Sequence, residues 1–175
     1  AAPQFDATND AVYVTRADVK KEVDWYSKLV RIDLDTRKES EVATSEFVTD
    51  YAVSPDGRWL AFQERNHAYV TTMPMTSKPI PVGAKMDAMP VRQLDVDAGQ
   101  YLGWSGDSAK LHFGLGDRLF TSELRNAFAF VPGAPKELPK ADATGARVGF
   151  TEPADVPGGQ IAITGARIVT MKGDE

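Results

Sequence analysis

The sequence has no cysteine and only two histidines among its 175 residues. Without cysteine the chain has no disulfide, no thiolate metal ligand and no cysteine nucleophile. His67 and His112 fall at different positions of the repeat described below, so they form no ligand pair. Asp95 and Asp97 share a strand face, but the glycine and glutamate of a calcium loop are missing. No catalytic, cofactor-binding or metal-binding residue is therefore assigned from the sequence.

Excess basic charge and long apolar runs are missing as well. Lys and Arg number 20 against 25 for Asp and Glu, which gives a net charge of -5. Without a dense basic patch, nucleic acid is not an expected partner. No run approaches the length of about 18 apolar residues that a membrane span needs. The composition, 42% hydrophobic and 26% charged, is ordinary for a folded domain.

An internal repeat is the strongest feature that the sequence does have. The segment Ser54–Phe62 aligns with Ser105–Phe113 at an offset of 51 residues (105 − 54), without a gap. The same offset places Tyr69 on Phe120 farther along the chain. A repeat of about 40–50 residues is the length of a four-stranded propeller blade.

Turn residues punctuate both copies of the repeat. In the first copy proline presets φ, aspartate bonds the backbone and glycine tolerates a positive φ, which together favour a β-turn. The aspartates recur at equivalent positions, as a structural role requires. We assign this structural turn role to Ser54, Pro55, Asp56 and Gly57 in the first copy and to Ser105 and Asp107 in the second.

Short alternating or apolar segments flank these turns, and no segment has helical periodicity. The pattern predicts an all-β fold: a partial β-propeller of about three four-stranded blades, followed by a strand that opens a second domain. The blades cover about residues 9–45, 46–96 and 97–150, so the propeller segment is 1–150. A charged loop is expected at Asp18–Asp24, and a long excursion between strands at Met73–Pro90.

With these residues in view, the blades resemble the repeats of TolB-like β-propellers. That family has an inner strand followed by Ser-Pro-Asp-Gly and by a strand that begins with Trp or Lys and continues with an apolar residue, Ala and Phe. The resemblance covers about residues 9–124. The copy at Ser54–Phe62 is close to the pattern, whereas the second copy has Gly106 in place of proline and Ser108 in place of glycine.

The tail carries a second resemblance. Residues Pro157–Met171 look like the strand that opens a metal-dependent amidohydrolase, so residues 151–175 are predicted to be a linker and the first strand of its β-sandwich. The resemblance implies a non-catalytic part of a larger bacterial hydrolase, periplasmic or secreted. A divalent metal, with zinc as the expected ion, would lie only in the barrel of that hydrolase.

The leading interpretation is a scaffold or interaction segment that shapes substrate access or binds a partner. Propellers usually have four to eight blades, so three leave open faces. The expected partner is the remainder of the parent protein or another copy of the chain, and a homo-oligomer is expected for the chain alone. One alternative is a ligand-binding propeller for peptide or sugar, and another is a complete hydrolase. Candidate surface contacts are Trp25, Tyr26, Met73, Met75, Met86 and Met89.

Overall fold

The computed structural model describes residues 3–20 and 24–156, together with 158, 159, 162, 164–167, 169 and 172. The regular elements of these residues are β1 (Gln4–Phe5), β2 (Ala11–Lys20), β3 (Asp24–Asp33), β4 (Glu39–Ser45), β5 (Val48–Val53), β6 (Trp59–Glu64), β7 (His67–Thr72), β8 (Ile80–Pro81), β9 (Val91–Gln93), β10 (Gln100–Trp104), β11 (Lys110–Leu115), β12 (Arg118–Glu123), a 3-10 turn (Leu124–Asn126) and β13 (Ala146–Arg147).

The strands form three successive sheets, which we call the first, second and third blades. Their strand orders are β1-β2-β3-β4-β8, β5-β6-β7-β9 and β10-β11-β12-β13. All neighbouring strands are antiparallel except β4 and β8. The predicted all-β fold, a partial propeller of three blades, is confirmed. Seven of the fifteen residues at 157–171 lie outside the described part of the chain, and the strand predicted there stays a prediction.

The second blade is packed on both faces because its residues alternate between them. Toward the first blade it turns large side chains, Tyr51, Leu60 and Phe62, which pack with Leu29 of β3 and Ala43 of β4. Toward the third blade it turns mostly small ones. These are Ala52, Ala61, Ala68 and Val70, and they pack with Leu111, Phe113 and Phe120. Apart from Trp59, which stacks on Phe128 with ring centroids 5.6 Å apart, each interface sets large side chains against smaller ones.

The repeat register also places stacked aromatic pairs at equivalent positions. Phe62 and Tyr69 are cross-strand partners, and their ring centroids lie 5.3 Å apart. Their counterparts Phe113 and Phe120 are also cross-strand partners, with centroids 5.5 Å apart. Such pairs add to the stabilisation that burial alone supplies. Gly99 precedes β10 at this interface, where a Cβ atom would lie 2.6 Å from the Cβ of Ala68.

The two turns have the same hydrogen bonds despite their different sequences. The Ser54 hydroxyl donates to Asp56 at 2.5 Å and accepts from the Trp59 amide at 2.9 Å. The Ser105 hydroxyl makes the equivalent bonds to Asp107 and from Lys110, again at 2.5 and 2.9 Å. Gly57 has a φ of 69°, and its counterpart Ser108 adopts nearly the same conformation at 60°. The second copy thus keeps the turn, although its serine must adopt the left-handed backbone conformation that is uncommon for residues other than glycine.

The predicted excursion Met73–Pro90 is largely irregular, but it contains β8, which joins the first blade rather than the second. Ile80 pairs with Ala43 in parallel register, and the Val82 amide donates to the Thr44 carbonyl at 2.8 Å. The segment therefore ties the first two blades together. The loop expected at Asp18–Asp24 is wrong in extent, because β2 runs through Lys20 and β3 begins at Asp24.

Ion pairs cover the outer face of the first blade. Arg16 of β2 donates two hydrogen bonds of 2.7 Å to Glu39 of β4. Lys28 of β3 pairs with Glu41 at 2.7 Å and with Asp18 at 3.0 Å. The strand register makes the Arg16 side chain cross β3 beside Val30, which is only 3% exposed. The alkyl stems of these charged residues thus cover the aliphatic face.

On the outer face of the third blade, Glu123 at the end of β12 pairs with Arg125 at 2.6 Å, but no ion pair among the described residues spans the strands as Arg16 and Glu39 do on the first blade. The strands of the third blade present His112 and Thr121, which share a 2.9 Å hydrogen bond, beside Leu119. Tyr101 has a φ of 58° at a β-bulge, and its ring lies over Gly114, near the position of a Cβ atom. Tyr101 is 83% exposed and Leu119 is 39% exposed. This face is open to solvent.

Candidate functional site

A pocket between the first and second blades, which we call the interblade pocket, brings together three of the predicted contact residues. Trp25, Tyr26 and Met86 all line it. Its volume is about 750 Å³, within the range of about 300–1,000 Å³ typical of ligand sites. The pocket is therefore the main candidate for a binding site in the described part of the chain.

Four segments from both blades build the walls of the interblade pocket. Trp25 and Tyr26 come from the start of β3, and Phe47 comes from the connection between β4 and β5. Arg65 lies in the turn between β6 and β7, and residues 81–86 follow from β8. Since β3 begins, β4 ends and β6 ends at this side of the sheets, the segments meet there.

Local hydrogen bonds fix the position of Phe47. The Ser45 hydroxyl accepts from the backbone amides of Phe47 at 3.3 Å and of Val48 at 3.2 Å. Ser45 itself is buried, and the neighbouring Ser27 hydroxyl donates to the Val48 carbonyl at 2.6 Å. The short connection is thereby held at both ends, and its phenylalanine ring is left half exposed at the mouth of the pocket.

The turn between β6 and β7 has a strained backbone. Arg65 and Asn66 both have positive φ, 49° and 71°, in a two-residue hairpin loop between the paired residues Glu64 and His67. This conformation suits asparagine, but it is uncommon for arginine. It directs the guanidinium of Arg65 over the ring of Phe47, 4.4 Å from the ring centroid. This backbone conformation thus places the Arg65 guanidinium at the pocket mouth.

Glu64 fastens the opposite wall. Its carboxylate accepts a 2.6 Å hydrogen bond from the backbone amide of Ala84. At Gly83 a Cβ atom would lie 3.2 Å from the same carboxylate oxygen, so glycine lets the loop approach closely. A charged acceptor strengthens such a bond. The loop that follows β8 is therefore held against the second blade, where it forms one wall of the pocket.

The other three predicted contact residues do not reach this pocket. Met73 is 7% exposed and belongs to the core between the first two blades, so its prediction as a surface contact is wrong. Met75 is 87% exposed and lies beside Phe130 in a separate depression. Met89 packs against the same core as Met73.

A hydrogen bond between a histidine and a buried carboxylate, which the sequence did not reveal, lies at the same end of the second blade as the interblade pocket. The Nδ1 atom of His67 is 2.7 Å from one carboxylate oxygen of Asp95, and the other oxygen accepts from the Ala68 amide at 2.8 Å. The Asp95 side chain is 2% exposed. The pair fastens the connection between the second and third blades to the start of β7. The two residues are 28 positions apart in the sequence, so only the folded structure reveals their contact.

A buried tyrosine lies next to Ser27. The Tyr51 hydroxyl is 3.2 Å from that of Ser27, and burial raises the pKa of Tyr51 to about 12.

In the described ranges no group of three or more His, Asp or Glu side chains is arranged to bind a metal ion. No described helix is long and apolar enough to cross a bilayer.

Two solved structures are similar in fold to this chain. One is Pyrococcus horikoshii acylaminoacyl peptidase, 15% identical over 65% of this chain and 17% of that one, with a TM-score of 0.42. The other is the β-propeller domain of Myceliophteria thermophila Cps50 (Swd1), 13% identical over 72% of this chain and 40% of that one, with a TM-score of 0.42.

This chain therefore spans less than half the length of either structure. No protein-family model matches the chain, and no curated protein sequence does. The assignment of blades depends on the sheet order and the packing described above.

Proposed function

We propose that the chain is a non-catalytic β-propeller segment that serves as a scaffold and interaction module of a larger metal-dependent amidohydrolase. The amidohydrolase association is supported by the sequence pattern of residues 157–171. In this proposal the divalent metal, with zinc as the expected ion, is bound by the barrel of that hydrolase. The family resemblance supports a periplasmic or secreted bacterial location.

The difference between the two outer faces of the blade stack is the observation that carries the interaction role. The ion pairs of Arg16 and Lys28 cover the outer face of the first blade. On the third blade Tyr101 and Leu119 are left exposed, and the lack of a side chain at Gly114 leaves room for the tyrosine ring. A sheet face with exposed apolar side chains is suited to packing against another sheet. The partner is the remainder of the parent protein or another copy of the chain.

Light scattering of the isolated chain over a range of concentrations tests this role. We expect a homo-oligomer, because the open face is then covered by a second copy. Leu119→Lys should shift the equilibrium toward monomer. Leu34→Lys is the matched control, since Leu34 is exposed to a similar degree in the turn after β3. A monomer at every concentration, or equal effects of both variants, would contradict the proposal.

The same preparation tests the alternative of a complete hydrolase. Peptide, amide and ester substrates should remain intact in the presence of the isolated chain. Hydrolysis that copurifies with the chain and survives a mock purification would overturn the non-catalytic assignment.

A further inference from the structure

We propose that a pocket at the other end of the second blade, which we call the aromatic pocket, binds a planar aromatic group that carries a single carboxylate. Three segments line it: Arg58 and Trp59 at the start of β6, residues 72–75 at the end of β7, and residues 130–132 beyond the 3-10 turn. Its volume is about 410 Å³, which suits a small ligand. The inference goes beyond the scaffold role, because the pocket shares no lining residue with the open face of the third blade.

Backbone hydrogen bonds hold the walls of the aromatic pocket. The Met73 amide donates to the Arg58 carbonyl at 2.8 Å, which joins the two segments of the second blade. Two successive turns hold the third segment, since the Val131 amide donates to the Phe128 carbonyl at 3.2 Å and the Ala134 amide to the Val131 carbonyl at 3.0 Å. These bonds fix the backbone on both sides of the pocket.

Three nearly parallel rings supply the first part of the recognition. The Phe130 ring centroid lies 5.1 Å from that of Phe128 and 6.2 Å from that of Trp59, with interplanar angles of 22° and 14°. Phe128 and Trp59 are buried, whereas Phe130 is 60% exposed. Phe130 therefore offers ring surface, in the orientation of the buried rings, on which another flat ring can stack. The exposed Met75 borders this surface and adapts to the shape of the ligand.

A single positive charge supplies the second part. Arg58 is the one charged residue among the described residues that line the aromatic pocket. Its guanidinium is exposed and forms no ion pair or hydrogen bond with any residue in the described ranges. The nearby Asp56 does not line the pocket, and its carboxylate accepts from the Ser54 hydroxyl and the Arg58 amide. Arginine binds carboxylates through paired hydrogen bonds, so the charge favours a monoanion.

The interblade pocket has no such charge preference. Its lining contains two acidic residues, Glu46 and Glu64, together with the basic residues Arg65 and Lys85. The charges of that lining balance, whereas those of the aromatic pocket do not. The carboxylate is therefore assigned to the ligand of the aromatic pocket.

The aromatic pocket has few polar groups with which to bind a glycan. Besides Arg58, the described lining offers two polar side-chain groups, the Thr72 hydroxyl and the Trp59 indole N–H. The other lining side chains are apolar. Sugar hydroxyls that lose water without gaining partners cost free energy. An aromatic acid buries one apolar ring and presents one charged group, which matches the lining.

The test is an NMR titration of the full chain with labelled methionine methyl groups. Phenylacetate should bind about fivefold more tightly than phenylacetamide, which lacks the charge. It should also bind about fivefold more tightly than cyclohexylacetate, which lacks the flat ring. Maltotriose is the glycan probe. The Met75 methyl signal should shift on binding and the Met86 signal should not, because Met86 lines the interblade pocket instead.

The same chemistry occurs in small aromatic acids and at the C-terminus of a peptide that ends in an aromatic residue. Acetyl-Gly-Gly-Phe with a free carboxylate distinguishes the two sources. Tighter binding of this peptide than of phenylacetate assigns the pocket to peptide C-termini, and weaker binding assigns it to small acids.

Two variants with matched controls connect this binding to the aromatic pocket. Arg58→Gln should abolish the preference for phenylacetate over phenylacetamide. Arg37→Gln, at an arginine exposed between β3 and β4, should retain it. Phe130→Leu should abolish the preference for phenylacetate over cyclohexylacetate, whereas Phe150→Leu, at a residue exposed in the tail, should not. Circular dichroism verifies that each variant is folded.

Leu119→Lys should leave the binding of phenylacetate unchanged, which separates this test from that of the open face. Equal affinity for phenylacetate and either of its two analogues, tighter binding of maltotriose, shifts at Met86 rather than Met75, or no saturable binding of phenylacetate would each overturn the proposal.

Discussion

The second and third blades share one repeat, yet the faces that they turn toward the end of the stack differ in chemistry. Ala61 and Val70 of the second blade are fully buried under the third. Their counterparts at the 51-residue offset (112 − 61 and 121 − 70) are His112 and Thr121, which bond to each other at an open surface. The same backbone unit thus receives small apolar residues where a blade covers it and polar residues where none does.

The opposite face of the two blades shows what the repeat keeps constant. Phe62 and Phe113 occupy equivalent positions, each is stacked on its cross-strand partner, and each faces the preceding blade. The second and third blades therefore each contribute a stacked aromatic pair to the interface before them. Packing of large on small residues gives a dense interface without strain.

Removal of either phenylalanine should have the largest effect on the free energy of unfolding. Phe62→Ala and Phe113→Ala should each lower the free energy of unfolding by about 3 to 5 kcal/mol, because each leaves a cavity in a buried interface. Urea denaturation measures both. Similar losses would support equivalent packing of the second and third blades against the blade before them. A loss at Phe62 alone would show that the third blade is not packed as the second is.

The next largest effect is a pH dependence of stability that arises from Tyr51, in the core between the first two blades. Burial raises the pKa of Tyr51 to about 12, above its ordinary value of 10.0. The unfolded chain loses this proton first, so stability is complete below pH 10 and falls as the pH rises to about 12. The loss is roughly 2 to 3 kcal/mol.

Tyr51→Phe tests this dependence. Denaturant unfolding of both proteins should show a smaller decline of stability between pH 10 and 12 in the variant. Parallel declines would mean that the phenol is not shielded from water as the structure places it.

The smallest expected effect compares the two turn serines. Ser54 is buried and Ser105 is not, although their hydrogen bonds are the same. Ser54→Ala should cost about 1 to 2 kcal/mol, since a buried amide loses its acceptor, and Ser105→Ala about 0.5 kcal/mol, since water replaces the hydroxyl. Thermal unfolding resolves the difference. Equal costs would show that burial does not distinguish the turns.

Features that depend on nearby residues were predictable from the sequence. The turn at Ser54 and its counterpart at Ser105 follow from residue preferences within four positions. The offset of 51 residues then places Phe62 and Phe113 in equivalent strands. These signals give the order of strands within a blade and the number of blades.

Features that depend on distant partners were not predictable. β8 has two residues, one of them a proline, so neither periodicity nor strand preference marks it. Met73 is buried because the excursion crosses the core between the blades, which its local sequence does not encode. Trp25 and Tyr26 stood out as aromatics outside the repeat, but only the pairing of the blades places Phe47 and Arg65 beside them.

The most direct test of the central claim, that the second blade is covered on both faces and the third on one, is a pair of leucine substitutions. Ala61→Leu should lower the free energy of unfolding by about 1 to 3 kcal/mol, because the interface is already filled. His112→Leu, at the equivalent position on the open face, should change it by less than about 0.5 kcal/mol. Urea denaturation of the two variants provides the measurement. Equal losses, or a larger loss at His112, would contradict the account.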